Sequence, residues 1–470
     1  MDGINLAGET ASERYLNELC KRSFLSLWSY PNLFRDQGQK SDQGDGKELC
    51  DHLIVFNNHV IIFSDKSCAF PDSGNVELDW RRWYKRSVQQ SAEQIFGAER
   101  WLVKHPDRIY IDRSCRRKLP IPIPQKSCIH RVVVAMNVAE RCRRYFGNSG
   151  TGSLAITSDV VGASRPFCIG DVNPNRGFVH VLDDVTLDIL LREVDTITDF
   201  TNYLTRKEKL FRSEKLIMAA GEEEILAQYL VHTNNRGEHD FVVGRRFNAV
   251  SFPEGAWAHV ANDARYLAKK DADKASYAWD GLIEKFNGHV IGGTLATGND
   301  LPMTDHERGL RMLASESRLS RRSLVEALFS LLETMPEGHN KMRMILTKQE
   351  RERAYILLIA GQDQLHSDYR ERRSSLLASY CLLCCKSPPT QAFGYHWDRD
   401  RTIRYKFSIG RFGLPRRSSL ARRGPASCGR ITTRVWVANE TFSNEAFSLR
   451  RIPESGKRIA KKGRENETEQ

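Results

Sequence analysis

The sequence lacks any apolar run approaching the ~18 residues that a membrane-spanning helix needs. Its first residues, MDGINLAGETASERYLNELCKRSF, also lack the basic start and apolar stretch of a secretory signal. With 40% hydrophobic and 28% charged residues over 470 positions, the composition is typical of soluble globular domains. These features predict a cytoplasmic protein without a membrane partner, and the length corresponds to about three domains.

Several familiar catalytic and metal-binding patterns are also missing. The Gly-rich segment GNSGTGS (147–153) lacks the Lys-Ser/Thr ending of a P-loop and no helix follows it directly, so a loop or hairpin is expected. No serine lies in a G-x-S-x-G elbow, which removes support for serine-hydrolase chemistry. The eleven cysteines are scattered, as free thiols in a reducing compartment would be. The pair Cys381 and Cys384 has C-x-x-C spacing, but no second pair completes a zinc site.

The positive charge is concentrated in one part of the chain. The formal net charge is +12, and residues 386–470 hold 19 Lys+Arg against 8 Asp+Glu, which leaves 52 basic and 51 acidic residues for the remainder. The basic character therefore does not indicate nucleic-acid binding by the part that precedes this tail. Residues 388–470 have no sustained periodicity, and we assign them no fold. They are either a disordered basic arm that binds phosphates or a non-native segment, such as one read in a shifted frame. The abrupt change after a strand-like segment favours the second interpretation.

Hydrophobic periodicity predicts an α/β protein of the α+β type, whose first 140 residues form one α/β domain. The predicted elements of this domain are helices over 10–29 and 80–104 and strands over 33–35, 48–66, 108–112 and 129–137. Thr10 followed by Glu13 forms a capping-box pattern at the first helix, and Pro31 is expected to end it.

The rest of the chain is predicted to be accessory to the first domain. Residues 141–300 form a mixed α/β region and residues 301–387 a mainly helical region. The predicted strands here are 154–159, 167–172, 177–183 and 353–361, and the predicted helices include 184–210, 221–233, 305–335 and 367–378. The segment SYCLLCCK is a further candidate strand.

The hairpin ELCDHLIVFNNHVIIFSDK (48–66) carries charges unusually close to apolar strands. If Asn57 and Asn58 form a two-residue turn, Asp51 lies opposite Ser64 and shares a face with Lys66. An extra turn residue or a bulge would instead bring Asp51 opposite Asp65. Carboxylates at the rim of a sheet can hold Mg²⁺ together with water and substrate phosphate, and a nearby lysine can orient or deprotonate the attacking water.

The order of a helix with Glu13, a short strand, Asp51 entering a hairpin and Lys66 leaving it resembles the restriction-endonuclease-like PD-(D/E)xK nuclease superfamily, in particular the nuclease-related domains. The resemblance covers about the first 140 residues and implies a central mixed sheet flanked by helices. It implies that Asp51 is the metal-binding acid, Lys66 the catalytic lysine and Glu13 the helix acid. It also implies Mg²⁺ or Mn²⁺ as cofactor, nucleic acid as substrate with DNA expected, and by analogy a role in defence.

The pattern departs from this family at Ser64, where the second acid is expected. Asp65 lies one place late, so a bulge would have to bring it into the site as a metal ligand, or Glu48 or Glu13 would have to supply the carboxylate. Without either, the domain would be a catalytically inactive binding module. Each charged residue also has an ordinary explanation, because strand ends are solvated and Glu13 can simply cap its helix; only their joint order indicates a site.

The segment DWRRWYKR (79–86) adds a candidate nucleic-acid-binding surface beside the hairpin. Its basic residues are expected to contact phosphates if the nuclease interpretation holds, and to form a solvated helix face otherwise. These residues are Arg81, Arg82, Lys85 and Arg86. Trp83 is expected to point inward.

Overall fold

The computed structural model describes residues 10–37, 45–148, 150–244, 246–295 and 301–334, together with six strands further along the chain. These strands are β10 (Lys341–Leu346), β11 (Arg353–Ala360), β12 (Tyr395–Asp398), β13 (Arg404–Lys406), β14 (Thr432–Arg434) and β15 (Val437–Asn439). The predicted helix over 367–378, the SYCLLCCK segment and most of the basic tail lie outside the described residues.

A five-stranded mixed sheet with helices on both faces forms the N-terminal part of the molecule, so the predicted α+β class is confirmed. The strand order is β1-β2-β3-β4-β7, in which β1, β2 and β3 are antiparallel and β3, β4 and β7 are parallel. The strands are β1 (Ser29–Arg35), β2 (Lys47–Phe56), β3 (His59–Lys66), β4 (Cys128–Ala135) and β7 (Val179–Asp183). The sheet therefore continues past residue 140, where the sequence predicts that the first domain ends.

Helices cover both faces of this sheet and exclude water from it. On one face lie α1 (Ala11–Phe24), α5 (Thr186–Glu193) and α6 (Ile197–Phe211), and on the other α3 (Gln90–Lys104), which continues α2 (Val76–Tyr84) through a π-helical turn at Lys85–Gln89. Phe63 of β3 packs its ring against Phe24 of α1 and Phe200 of α6. All three rings are fully buried, and they anchor the face on which α1 and α6 lie.

The first helix is shorter than predicted because its backbone turns before Pro31. The Thr10 hydroxyl accepts the backbone N–H of Glu13, and the Glu13 carboxylate accepts the backbone N–H of Thr10. The predicted capping box is therefore present. The helix ends at Phe24, where Leu25 takes a positive φ of 65°. Pro31 instead lies within β1, an edge strand, where a missing backbone N–H is tolerated.

Two further predictions were wrong, and side-chain hydrogen bonds to backbone N–H groups explain both differences. Residues 108–112 form no strand; only Tyr110 makes isolated bridges, and the Asp112 carboxylate accepts backbone N–H groups of the following turn. The helix predicted over 184–210 is two helices, α5 and α6. Thr196 caps the second by accepting the backbone N–H of Asp199, which fixes a new start between them.

A second sheet and a helical layer complete the described chain. The second sheet has the order β6-β5-β8-β9, and the predicted strands near 154, 167 and 177 and the helix near 221 are all present. The remaining elements are α4 (Ala139–Tyr145), β5 (Ala155–Val161), β6 (Cys168–Asp171), β8 (Leu216–Ala219), α7 (Glu222–Val231), β9 (Ala249–Phe252), α8 (Ala256–Ala261), α9 (Ala264–Asp273), a 3₁₀ turn (Lys274–Ser276), α10 (Tyr277–Gly292), α11 (Met303–Ala314) and α12 (Arg318–Glu333). The strand predicted near 353 is β11.

Candidate active site

The hairpin of β2 and β3 has the predicted two-residue turn at Asn57 and Asn58. Phe56 lies opposite His59, and the pairs continue without a bulge until His52 lies opposite Phe63. Asn57 adopts a positive φ of 55°, which asparagine tolerates in tight turns. The bulge that would bring Asp51 opposite Asp65 is therefore absent from the paired part of this hairpin.

Strand alternation assigns the charged residues to the two faces of the sheet. Asp51 and Ser64 adjoin the last paired residues and point away from the face on which Phe63 lies, toward α3. Lys66 has the same parity as Ser64, whereas Asp65 has the parity of Phe63 and points toward α1. Asp51 and Lys66 thus share a face, as the two-residue turn predicts.

Asp51 ends the β2–β3 ladder with its side chain. Its Oδ2 atom accepts the backbone N–H of Asp65 at 2.5 Å, and its Oδ1 atom accepts the Nε2 amide of Gln94 at 3.3 Å. The residue is buried, with 4% of its surface exposed. Donors from β3 and from α3 therefore hold the Asp51 carboxylate in one orientation.

Gln94 lies beside Ser64. Ser64 is the position at which the nuclease pattern would have an acid. The Ser64 hydroxyl, which is fully buried, donates to the Gln94 Oε1 atom at 3.3 Å. The sequence interpretation did not identify Gln94. A signal is present in retrospect, because Gln94 continues a stripe of buried small and polar residues, Ser87 and Ser91, that leads to Ala98 on the sheet-facing side of the helix.

Asp65 is a buried carboxylate, and neither of its oxygens makes a hydrogen bond of good geometry with a described residue, although the Ser12 hydroxyl lies close enough to lower its pKa. Only 4% of its surface is exposed. Burial raises the pKa of Asp65 to about 6, and the negative charges of Asp51 and Glu13 act in the same direction. The Ser12 hydroxyl and the Lys66 ammonium oppose this shift in the Asp65 pKa. The protein thus holds a carboxyl group in an environment that disfavours its charge.

Glu48 joins the same group from the start of β2. Desolvation of its carboxyl, the charge of Asp51 and a hydrogen bond with Asp51 together raise the Glu48 pKa to about 7. Glu13 also contributes to this shift, and Lys66 counteracts it. We call Glu13, Glu48, Asp51 and Asp65 the acidic cluster. Lys66 is the cation that the structure brings to it.

The acidic cluster fits a hydrated cation better than a cage of protein ligands. Among the described residues, the groups of three whose ligand atoms all lie within 4.8 Å of one another do not include any member of this cluster. Mg²⁺ commonly uses one or two carboxylates and keeps several waters. Asp51 and Asp65 point to opposite faces at the end of the β2–β3 ladder, so an ion that contacts both would lie at the strand end and would bind partly through water.

The four basic residues of the adjoining helix lie on one exposed face, while Trp83 between them is fully buried as predicted. Arg81 pairs with Glu77 at 3.2 Å, and Arg86 donates to the Ala69 carbonyl at 3.2 Å. Arg81 and Lys85 line a cavity of about 320 Å³. The Arg81–Glu77 ion pair and the Arg86 hydrogen bond are both exposed to solvent. These side chains can therefore rearrange toward a ligand at a small cost in free energy.

No family model, curated protein or solved structure matches this chain. Within the described residues, none of the helices combines the length and apolar character required to cross a bilayer. The chemistry of the site therefore has to be inferred from its own geometry.

Proposed function

We propose that the acidic cluster and Lys66 catalyse metal-dependent hydrolysis of phosphodiester bonds in nucleic acid, with DNA as the expected substrate. The observation that carries this proposal is Asp65, a buried carboxylate beside the charges of Asp51 and Glu13, with the Ser12 hydroxyl and Lys66 as its compensating groups. Burying such a group costs free energy unless a partner compensates it. A divalent cation is the partner that would compensate several acids at once.

The position of each residue suggests its role in the proposed reaction. Asp51, whose two oxygens are oriented from β3 and α3, would be the rigid metal ligand, and Asp65 the second. When bound, Mg²⁺ or Mn²⁺ lowers the pKa of a coordinated water and stabilises charge on the phosphate. Lys66 would orient the attacking water or offset charge on the phosphate oxygens. Arg81, Arg82, Lys85 and Arg86 would hold the flanking phosphates.

A catalytically inactive nuclease-fold module that binds nucleic acid or protein is the second candidate. Two observations favour it: Ser64 and Gln94 stand where an acid is expected, and the carboxylates do not form a close group of three. In that case Asp51 serves only to end the β2–β3 ladder, and binding would occur without cleavage.

Cleavage of plasmid and single-stranded DNA with Mg²⁺ or Mn²⁺ tests the proposal. Lys66→Ala and Asp51→Asn are expected to lower the cleavage rate by roughly 10²–10⁴-fold, the usual contribution of a positioned acid–base group. Lys47→Ala, which removes an exposed lysine from the same hairpin, is the matched control and should cleave at the wild-type rate. Equal rates in all variants would contradict the proposal, and binding without cleavage by the wild type would favour the inactive module.

A further inference from the structure

A second group of chemically active side chains lies at the opposite end of the same sheet. His59 begins β3 and pairs with Cys128, which begins β4; Ile61 pairs with His130, and Val132 pairs with His180 of β7. Because paired residues of parallel strands share a face and alternate residues repeat it, the three histidines and Cys128 all lie on the face covered by α6. About 20 Å of strand separates this end from the acidic cluster.

Three of these side chains bring their donor atoms together. The Nδ1 atom of His59 lies 2.9 Å from the Nε2 atom of His130, and the two rings are stacked with an interplanar angle of 12°. The Sγ atom of Cys128 lies 3.8 Å from the same His130 nitrogen. All three donor atoms lie within 4.8 Å of one another. Ligand atoms around a tetrahedral zinc ion are about 3.3–3.6 Å apart, given bonds of about 2.0–2.3 Å.

We propose that His59, Cys128 and His130 bind a divalent transition-metal ion of the zinc type. Thiolate and imidazole are the ligands that Zn²⁺ and Co²⁺ prefer, whereas Mg²⁺ prefers oxygen. The site is therefore chemically distinct from the acidic cluster and independent of the proposed hydrolysis. A metal here would join the start of β3 to the start of β4.

His180 is the independent observation that points to a ligand at this place. It is 1% exposed, and neither of its ring nitrogens has a hydrogen-bond partner among the described residues; the Nδ1 atom of His130 is likewise unpartnered. With Glu208 of α6, His130 and His180 form a second group whose ligand atoms lie within 4.8 Å. Unpaired buried imidazoles cost free energy. Metal-bound histidines normally use their second nitrogen to contact such outer partners.

The charges around the site suit a divalent cation. Burial lowers the pKa of His130 to about 3 and also lowers the His59 and His180 pKa values, which keeps the imidazoles neutral and able to ligate. Cys128 is a thiol in the metal-free protein, and its proton leaves to solvent as the sulfur–metal bond forms. The resulting thiolate and the nearby Glu208 carboxylate would neutralise the ion.

Two neighbouring cations act against positive charge at the site, but each is paired with an acid that reduces its effect. Arg131 donates to Glu99 at 2.7 Å, and Lys207 is paired with Glu222 in the buried interior. The competing explanation for the cluster is a simple hydrogen bond between His59 and His130 that joins two strands. That explanation leaves the proximity of the Cys128 thiol without a role.

Titration of the metal-free full-length protein with Co²⁺ tests the proposal. The wild type is expected to gain the intense visible bands of tetrahedral Co²⁺ together with a near-ultraviolet thiolate-to-cobalt band. Cys128→Ser should lose the thiolate band, and both Cys128→Ser and His130→Gln should bind at least about 10–100-fold more weakly, the range found even for outer partners. Cys68→Ser, which changes another half-buried free thiol, should keep the wild-type spectrum.

Thermal unfolding gives a second measurement that does not depend on the spectra. Zn²⁺ is expected to raise the melting temperature of the wild type by more than that of Cys128→Ser, whereas any stabilisation by Mg²⁺ through the acidic cluster should be the same in both proteins. Asp51→Asn should retain full Co²⁺ binding, which separates this site from the acidic cluster. Absence of cobalt bands in the wild type, or an unchanged thiolate band in Cys128→Ser, would overturn the proposal.

Discussion

The Asp51 carboxylate accepts the backbone N–H of Asp65 at 2.5 Å, and this contact both ends the β2–β3 ladder and brings two acids of the hairpin together. The same contact would exist in a protein that cleaves nothing, because an unpaired strand N–H needs an acceptor. The position of Asp51 alone therefore does not separate a structural from a chemical role. Asp65 is more informative about a chemical role. Its oxygens make no hydrogen bond of good geometry with a described residue, and burial raises its pKa.

Asp65→Asn is expected to stabilise the protein at neutral pH. Burial raises the Asp65 pKa from 3.8 to about 6, so the folded state holds its proton to a higher pH than the unfolded state. The contribution of Asp65 to the free energy of unfolding is therefore highest below about pH 3.8. It falls as the pH rises toward 6 and is constant above that. Removing the charge should raise the free energy of unfolding at pH 7 by at most about 3 kcal/mol, since one pKa unit is about 1.4 kcal/mol.

Urea unfolding of metal-free wild type and Asp65→Asn between pH 4 and pH 7 measures this difference. The two proteins should converge at the acidic end of the range. Asp45→Asn, which changes an exposed carboxylate near the start of the same hairpin, should leave the profile unchanged. A less stable Asp65→Asn protein at pH 7 would mean that the carboxylate is structural, and would weaken the proposed site.

Gln94→Ala should destabilise the protein, because it removes the amide that joins α3 to the hairpin. The buried Ser64 hydroxyl and the Asp51 Oδ1 atom would each lose the partner that Gln94 provides. Leaving buried polar groups unsatisfied costs about 1–3 kcal/mol. Gln90→Ala, an exposed change on the same helix, is the matched control and should alter stability by less than about 0.5 kcal/mol. Similar urea midpoints for the two variants would contradict the role given to Gln94.

Local pattern predicted the parts of the site that depend on local structure. Alternating apolar residues around Asn57 and Asn58 specify the hairpin, and its register follows from the turn length. For a two-residue turn the sequence predicted that Asp51 and Lys66 share a face, but it did not decide between that turn and a bulge that would place Asp51 opposite Asp65. It left open whether Asp65 approaches Asp51, because the contact is made by the Asp65 backbone N–H and not by a paired side chain.

Long-range pairing and tertiary contacts account for what the sequence interpretation missed. β7 joins the first sheet beside β4 from beyond residue 140, and no local period specifies that partner. Gln94 meets Asp51 only once α3 has packed on the sheet. His180 lies in an apolar strand and looks like an ordinary core residue until β4 and α6 bring His130 and Glu208 beside it.

Asp280→Ala should be among the most destabilising changes in the helical layer. Its carboxylate accepts from Arg318 at 2.7 Å and from Arg321 at 2.6 Å, and Arg318 also reaches Asp195 at 2.8 Å. These groups are buried, so removing Asp280 leaves Arg321 without this carboxylate and Arg318 with only one. Breaking a buried ion pair from one side costs about 3–5 kcal/mol.

The exposed pair of Asp271 and Lys274 provides the matched comparison for Asp280. Both side chains are about three-quarters exposed, at 76% and 75%. Asp271→Ala should therefore change stability by less than about 1 kcal/mol. Chemical denaturation of the two variants measures the difference, and equal losses would show that the buried network contributes no more than a surface pair.

Removing the four positive charges of the helix surface near the hairpin should weaken DNA binding and reduce its salt dependence. The changes are Arg81→Gln, Arg82→Gln, Lys85→Gln and Arg86→Gln in one protein. Each phosphate contact contributes a slope of about 0.9 to the dependence of log K on log salt for duplex DNA. If all four residues contact phosphates, the slope should fall by roughly 3–4, as measured by fluorescence anisotropy over a range of salt concentrations.

The basic tail is the competing source of phosphate contacts, because most of the net charge lies there. A matched full-length variant replaces four tail arginines with glutamine, at Arg416, Arg417, Arg422 and Arg423, and so removes the same charge. A slope that falls with the helix variant and stays near the wild type with the tail variant would assign the contacts to the helix. The reverse result would contradict the predicted helix surface and assign binding to the tail, since a change in total charge alone would affect both variants equally.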